Sequence, residues 1–360
     1  MTAVANVTIN QHYIPQFLLK GFGTGKKDKI HCFDKQTGKS FETSVRNIAA
    51  QRRFYDFTTE SGPGSFEQNL SRMETKIAPL IRELVSKRSL ANLEPEQRAG
   101  LAIFMHLQMH RTPGARQRLV EFRSGFADCL RNQLGLDDDA IEEALGPVPD
   151  GEQLTALSLA TMLRSLQKHS LAYIVDKHWL IKTTEPKTPF LLGDSPVVMN
   201  NSMFFNAGGL GLTVPGIEIY LPLSSTVTLA IWSREHKSQY GEALREIEVS
   251  RARKGLKNMG EQQRYGLRRL TDLVTALDSG GQLACSRPEN RNYHNYLQIR
   301  DAERYVFSST PDFSLAERMI ATNTKYQSAP KSVVRPLTPL DGTGPSGDRK
   351  EAYVLVSRTV

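Results

Sequence analysis

The sequence predicts an α+β protein, and three observations carry that reading. Short β-like runs open the chain, a long block of helical periodicity follows, and from about residue 176 apolar runs bounded by Pro, Gly and Ser take over. Strands and helices gathered in separate blocks, without strand–helix–strand alternation, argue for α+β rather than a doubly wound sheet.

The elements follow in order. In "INQHYIPQFLLKGF", residues 9–22, Pro15 disfavours the helical conformation at Ile14, so a helix starts at Pro15. His12 then lies just outside it, near N–H groups that have no intrahelical partner. "GFGTGKKDK" is a turn-rich loop, and "KIHCF" and "SFETSV", joined by "DKQTGK", form a hairpin. From Ser65, the spacing of Leu70, Met73, Ile77, Leu80, Ile81 and Leu84 predicts an amphipathic helix to about Lys87 despite Pro79. Its exposed stripe carries Glu67, Glu74 and Glu83. "EPEQRAGLAIFMHLQMHR" is a second helix, with acids in its first turn and Pro95 near its start. Residues 99–109 are apolar nearly all round, which predicts the most buried helix of the protein. "TPGA" breaks it, a helix resumes from Arg116 to Leu134, and "DDDAIEEAL" and "GEQLTALSLATMLRSLQKHS" extend the helical part to about residue 175.

"HWLIKTT", "FLLGDSPVVM", "IEIYLPL" and "VTLAIW" then read as successive strands of a mostly antiparallel sheet. A basic stretch follows from Arg234 to Leu270, with "EQQRYGLRRLTDLVTAL" helical, and "RYVFSS" is one more strand. The expected organisation is one α+β domain over 1–327, helical over about 65–175 and strand-rich over about 176–310. The Pro-, Gly-, Ser- and Thr-rich segment 328–350 reads as a flexible linker or tail, and 351–360 as an edge strand.

Composition narrows the function classes. Hydrophobic residues at 39% of 360 positions are enough for a sizeable core without staples. Cys32, Cys129 and Cys285 are far apart with no CxxC, which argues against a disulfide framework and a cysteine-built zinc site and points to a reducing cytoplasm. No basic-then-apolar leader and no long apolar run predict a signal peptide or a membrane span, so no membrane partner is expected. The excess of 46 Lys+Arg over 38 Asp+Glu, a net +8, favours a phosphate-bearing partner, nucleic acid or nucleotide.

A few polar residues carry the chemistry, each beside a plainer role. His12 can be a general base, a metal ligand or a hydrogen-bond anchor, and Gln16 can orient a water or a base edge; equally, both satisfy backbone groups at a helix start. His106 and His110 have the spacing of two metal ligands, but Leu107 stands where a zincin carries Glu and no third ligand follows. Gln108, inside an apolar helix, needs a partner. Arg111 and Arg116 form a fork for phosphate or carboxylate, or else Arg111 is a charge complementing a helix C-terminus. Asp194, after Gly193 and before Ser195 and Pro196, is a general base, a metal ligand or the partner of a buried His or Arg, or it caps a turn. "GFGTGKK" lacks the phosphate-loop spacing, and no GxSxG elbow is present.

Three of these stretches, "NQHYIPQFLLKGF", "LQMHRTPGAR" and "LLGDSPVV", with "YLPLSSTVTLAIW" and "AERYVFSS" following in order, resemble the bacterial family called domain of unknown function 4238. The resemblance covers about residues 10–310, and the commoner form of the third motif has Asn where this chain has Ser195. It implies an accessory-genome protein, with some members associated with defence against phage. His12, Gln16, Gln108, Arg111 and Asp194 fall on its motif positions.

The resulting expectation is a phage-defence protein that hydrolyses nucleic acid or a nucleotide. His12 serves as acid/base, with Asp194 as its orienter or a metal ligand. Arg111 and Arg116 hold phosphate, and Gln16 and Gln108 position substrate or water. Glu67 and Glu74 stand in reserve for a divalent metal. The alternatives are a non-catalytic sensor of a phage protein or nucleic acid, and a transferase using a nucleotide donor.

Overall fold

The computed structural model describes residues 9–59, 62–149, 151–167, 171–203, 210–254, 260–285, 287–336 and 354–358. The chain opens with β1 (Asn10–His12), α1 (Gln16–Lys20), the hairpin β2 (Lys29–Asp34) and β3 (Lys39–Ser44), then β4 (Ala50–Arg52), β5 (Asp56–Thr59) and β6 (Gly62–Ser65). β1 pairs antiparallel with β4 and β5 with β6, four short strands that no alternating pattern announces. α1 starts within one residue of the position expected: Pro15 is its N-cap, and the Pro15 carbonyl accepts from Leu18 N and Leu19 N.

The helical block contains α2 (Glu67–Lys87), α3 (Pro95–His110), α4 (Pro113–Leu134), α5 (Asp138–Leu145), α6 (Gly151–Gln167) and α7 (Ala172–Val175). Pro79 lies inside α2 without ending it. "TPGA" is the beginning of α4 rather than a gap before it. Thr112 caps the helix, its Oγ1 accepting from Ala115 N at 3.1 Å, and Pro113 takes a first-turn position where a missing N–H costs nothing. α3 buries Leu101, Ala102, Phe104, Met105, Leu107 and two polar residues, His106 and Gln108.

The second half contains β7 (His178–Thr183), β8 (Leu192–Gly193), β9 (Val198–Asn201), β10 (Ile217–Ser224) and β11 (Val227–Trp232). Then come α8 (Arg234–Lys254), α9 (Glu261–Ser279), β12 (Gln282–Ala284), α10 (Pro288–Asp301), β13 (Tyr305–Ser308) and α11 (Ser314–Thr322). One sheet has the order β12-β7-β11-β10-β9, antiparallel except where β12 joins β7. The other, β3-β2-β13-β8, unites the N-terminal hairpin with the C-terminal strand. "FLLGDSPVVM" is therefore not one strand. Its turn at Asp194 sends β8 to the hairpin sheet and β9 to the five-stranded sheet, so Asp194 stands where the two sheets part.

Every residue of β10 and β11 is buried, because both faces of the sheet are covered. Ile219, Leu221, Leu229 and Ile231 enter the main core with α1, α2 and α3. Tyr220, Ala230 and Trp232 point the other way, against Ala276 and Leu277 of α9 and Leu297 of α10. Period-two alternation between two apolar surroundings is the pattern of a doubly covered strand. Within the segment expected to be a linker, β14 (Ser332–Pro336) pairs antiparallel with β15 (Val354–Arg358). Residues 337–350, the rest of that linker, and 351–353 at the start of the expected edge strand lie outside the described residues. Among the described residues no helix is long and apolar enough to cross a membrane.

Candidate functional site

The three motif stretches meet around Tyr13. From α3, the Gln108 Nε2 donates to the Tyr13 carbonyl at 2.8 Å, and its Oε1 accepts from Arg111 Nε at 2.8 Å. Arg111, 2% exposed, completes the chain by donating from Nη1 to Glu74 Oε1 of α2 at 2.7 Å. On the other side of β1, fully buried Gln11 accepts from Tyr55 N and donates to Asp56 Oδ1 at 2.6 Å. The Tyr55 hydroxyl donates to the His12 carbonyl at 3.2 Å. The third motif arrives from the sheet junction: a Cβ built on Gly114 of α4 would lie 3.1 Å from Ser195 Oγ. Asp194 faces Tyr13 closely enough that its charge, after burial, helps push the phenol up.

His12 ends β1 and lies just outside α1, whose N-cap is Pro15. Its Nε2 lies 3.3 Å from the Val45 carbonyl, which can only accept, so Nε2 carries the proton and Nδ1 keeps a lone pair. Burial lowers its pKa; Val45 and the Glu74 charge oppose that, and the Arg111 charge adds to it. Asp194 is not its orienter. Both Asp194 oxygens accept backbone N–H groups, from Glu303 at 2.6 Å and from Arg304 and Tyr305 at 2.8 Å, so the carboxylate anchors the turn between α10 and β13. Burial raises its pKa, opposed by those three N–H groups and by Lys35. Gln16 is half-buried in the first turn of α1 and makes no side-chain hydrogen bond among the described residues.

The Arg111–Arg116 fork does not form, because Arg111 is claimed by Gln108 and Glu74. Arg116 turns instead to Phe54: its Nη2 donates to the Phe54 carbonyl and the guanidinium sits 3.4 Å above the ring. The stripe of α2 expected to face solvent is half-buried at Glu67 and Glu74, drawn inward by Arg111. Glu67 is pushed up to about 7, mainly by burial and then by the Glu74 charge, against the pull of Arg111. His106 and His110 lie with ring centroids 4.7 Å apart and planes tilted by 51°, and His106 Nε2 meets Ser165 Oγ at 2.7 Å. Among the described residues no group of three or more His, Cys, Asp or Glu side chains is placed to hold a metal ion, so Glu67 and Glu74 find no ligand set.

A cavity of about 730 Å³ adjoins this cluster. Arg52, Arg53, Asp56, Phe57, Ser65 and Arg116 line it, and Gln11 underlies it through its bonds to Asp56 and, at 3.4 Å, Ser65. Arg116 makes no ion pair among the described residues, and its Nε is buried without a hydrogen-bond partner. Burial with no acidic counterpart draws its pKa down to about 10. Sequence reasoning missed Gln11, Arg52, Arg53, Tyr55 and Asp56. The available signal was "QRRFYDF", residues 51–57, where two arginines directly precede a run of aromatics, a mixture suited to nucleic-acid surfaces.

A family model described as "Protein of unknown function (DUF4238)" matches residues 10–312. No curated protein and no solved structure matches the chain.

Proposed function

The chain belongs to that family of unknown function, and from this premise we propose that it binds nucleic acid in the cavity beside the motif cluster and hydrolyses a phosphoester there, in phage defence. The observation that carries the reading is Arg116, a cation without a carboxylate partner, held on the face of Phe54 in the wall of a cavity that Arg52 and Arg53 also line. A guanidinium in that position is suited to a phosphate, and Phe57 offers a ring on which a base can stack.

Two groups near Arg111 can handle a proton. Glu67, held near neutrality, is able both to give and to accept one at physiological pH, as an acid–base group must. His12 presents an Nδ1 lone pair. The arginines would neutralise charge developing on phosphoryl oxygens. Gln11, Gln108 and Asp194 take positioning roles, since each is committed to backbone groups. That commitment also favours a second reading, a non-catalytic sensor in which the motifs build the binding surface only.

The test measures binding of fluorescent single-stranded RNA and DNA at several salt concentrations, and turnover with and without magnesium. Arg116→Ala should weaken binding and flatten its salt dependence; unchanged binding overturns the assignment of the cavity. Binding that persists in Glu67→Gln while turnover disappears supports hydrolysis. Binding with no turnover under any condition selects the sensor.

A further inference from the structure

A second cavity, of about 500 Å³, lies on the opposite side of the five-stranded sheet from the main core, and shares no lining residue with the first. β7, β10, β11 and β12 form its floor and α8, α9 and α10 its walls. Lys182 of β7 is 8% exposed and lines it, with the ammonium 4.6 Å from the centre of the Trp232 ring. Among the described residues nothing hydrogen-bonds or ion-pairs with that ammonium. A buried cation without an anion is costly, and burial draws Lys182 down to about 8.

Two acidic neighbours oppose that shift, the Cys285 thiol and the Glu218 carboxylate; burial pushes the thiol up, which keeps it neutral, and the carboxylate is spent elsewhere. Glu218 is 3% exposed, its Oε2 accepting from the Tyr220 hydroxyl at 2.8 Å and the Tyr293 hydroxyl at 2.6 Å, its Oε1 from Ser202. Two further cations reach the cavity. Arg269 is fixed by donating from Nη2 to the Ala284 carbonyl at 2.9 Å, and Arg287 sits 4.2 Å above the Tyr265 ring. Arg287 is also the N-cap of α10, so the positive end of a 14-residue helix faces the same space.

We propose that this cavity is a binding site for a nucleoside phosphate. Unpaired Lys182 and Arg287 supply charge and side-chain donors for the phosphates, and the α10 N-terminus adds its dipole, Pro288 having no N–H and Asn290 N being bonded to the Arg287 carbonyl. Tyr265 and Trp232, with Arg287 and Lys182 over their rings, form the aromatic part of the lining that meets the base. The volume lies in the range of sites for ligands of that size. The site is independent of the nucleic-acid cavity and stands or falls separately.

Calorimetric titration of the full chain with ATP, GTP, CTP and UTP, and with adenosine and pyrophosphate as controls, tests it. At least one nucleotide should bind saturably, with adenosine and pyrophosphate each weaker by about tenfold or more. Lys182→Gln should lose about tenfold in affinity, Arg287→Ala should lose a similar factor, and Arg116→Ala should leave nucleotide binding unchanged. The wild-type affinity should fall between about pH 7 and about pH 9 as Lys182 loses its proton, and Lys182→Arg should remove that dependence. Absence of saturable nucleotide binding overturns the proposal, as does undiminished affinity in both Lys182→Gln and Arg287→Ala. Pyrophosphate binding as tightly as any nucleotide overturns the nucleoside part. Arg287 is exposed, so its variant keeps the question decidable if Lys182→Gln fails to fold.

Discussion

The Gln108 side chain of α3 donates to the Tyr13 carbonyl at 2.8 Å, joining residues 95 apart in the chain. The same amide accepts from Arg111, so one side chain ties the N-terminal motif to the ion pair between buried Arg111 and half-buried Glu74. A polar residue on a buried helix is thereby satisfied on both ends, which removes the desolvation penalty.

Replacing Gln108 by Leu leaves the Tyr13 carbonyl and Arg111 Nε without these partners. The variant should lose about 2–4 kcal/mol of stability in urea unfolding, the cost of orphaned buried polar groups. A loss within the few tenths typical of surface changes would show that the bridge is not structural.

Glu67 makes stability depend on pH in an unusual direction. Its folded pKa is about 7 against an ordinary 4.5, so the folded chain holds the proton more tightly than the unfolded one. The contribution is present below about pH 4.5 and is lost as pH rises to about 7. Glu67→Gln should remove this component. Its melting temperature relative to wild type should therefore be higher at alkaline than at acidic pH, and an offset independent of pH would refute the assignment.

His110 works in the opposite sense. Burial, with His106 and Arg118 adding to it, lowers its pKa from 6.5 to about 4, so the unfolded chain binds the proton more readily. Stability present above pH 6.5 should be lost as the solution is acidified towards about 4. His110→Gln should blunt that acid sensitivity in a series of thermal melts. A melting profile against pH identical to wild type would exclude His110 as its source.

Gly193, beside Asp194, is fixed by close packing. A Cβ there would meet the Gln298 carbonyl oxygen at 2.7 Å, and that oxygen belongs to the backbone of α10. Gly193→Ala should destabilise by about 1–3 kcal/mol through forced displacement of α10 from β8. Unchanged stability would mean that α10 moves without cost.

Asp194→Asn tests the anchor itself. An amide offers one acceptor oxygen where the carboxylate now receives three N–H groups, and its NH2 confronts a donor. A loss of about 2 kcal/mol is expected, together with a weakened α10–β13 turn read as faster amide exchange at 303–305. A variant that loses activity with unaltered stability and exchange would return Asp194 to a chemical role.

The helices from α2 to α6, the hairpin β2–β3 and strands β7, β10 and β11 could be read locally, because their apolar periodicity and turn residues act over a few positions. The start of α1 at Pro15 was legible for the same reason. Strands β1, β4, β5 and β6 were not: three or four residues give no period, and "GPGS" of β6 has no strand preference. The motif residues of the candidate site could be located, but their roles could not.

The sequence by itself determined an α+β chain with a net charge of +8, its principal helices and strands, and the three motifs that place it in its family. Tertiary structure alone decided which side chains are spent and which are free. Gln108 meets the Tyr13 carbonyl across 95 residues, Asp194 meets Tyr305 N across 111, and these pairings convert expected catalytic groups into anchors. They leave Arg116 and Lys182 without anions in two cavities. Hydrogen bonding and ion pairing are settled by contact in space, and a side chain's partners over such separations leave no local pattern in the chain.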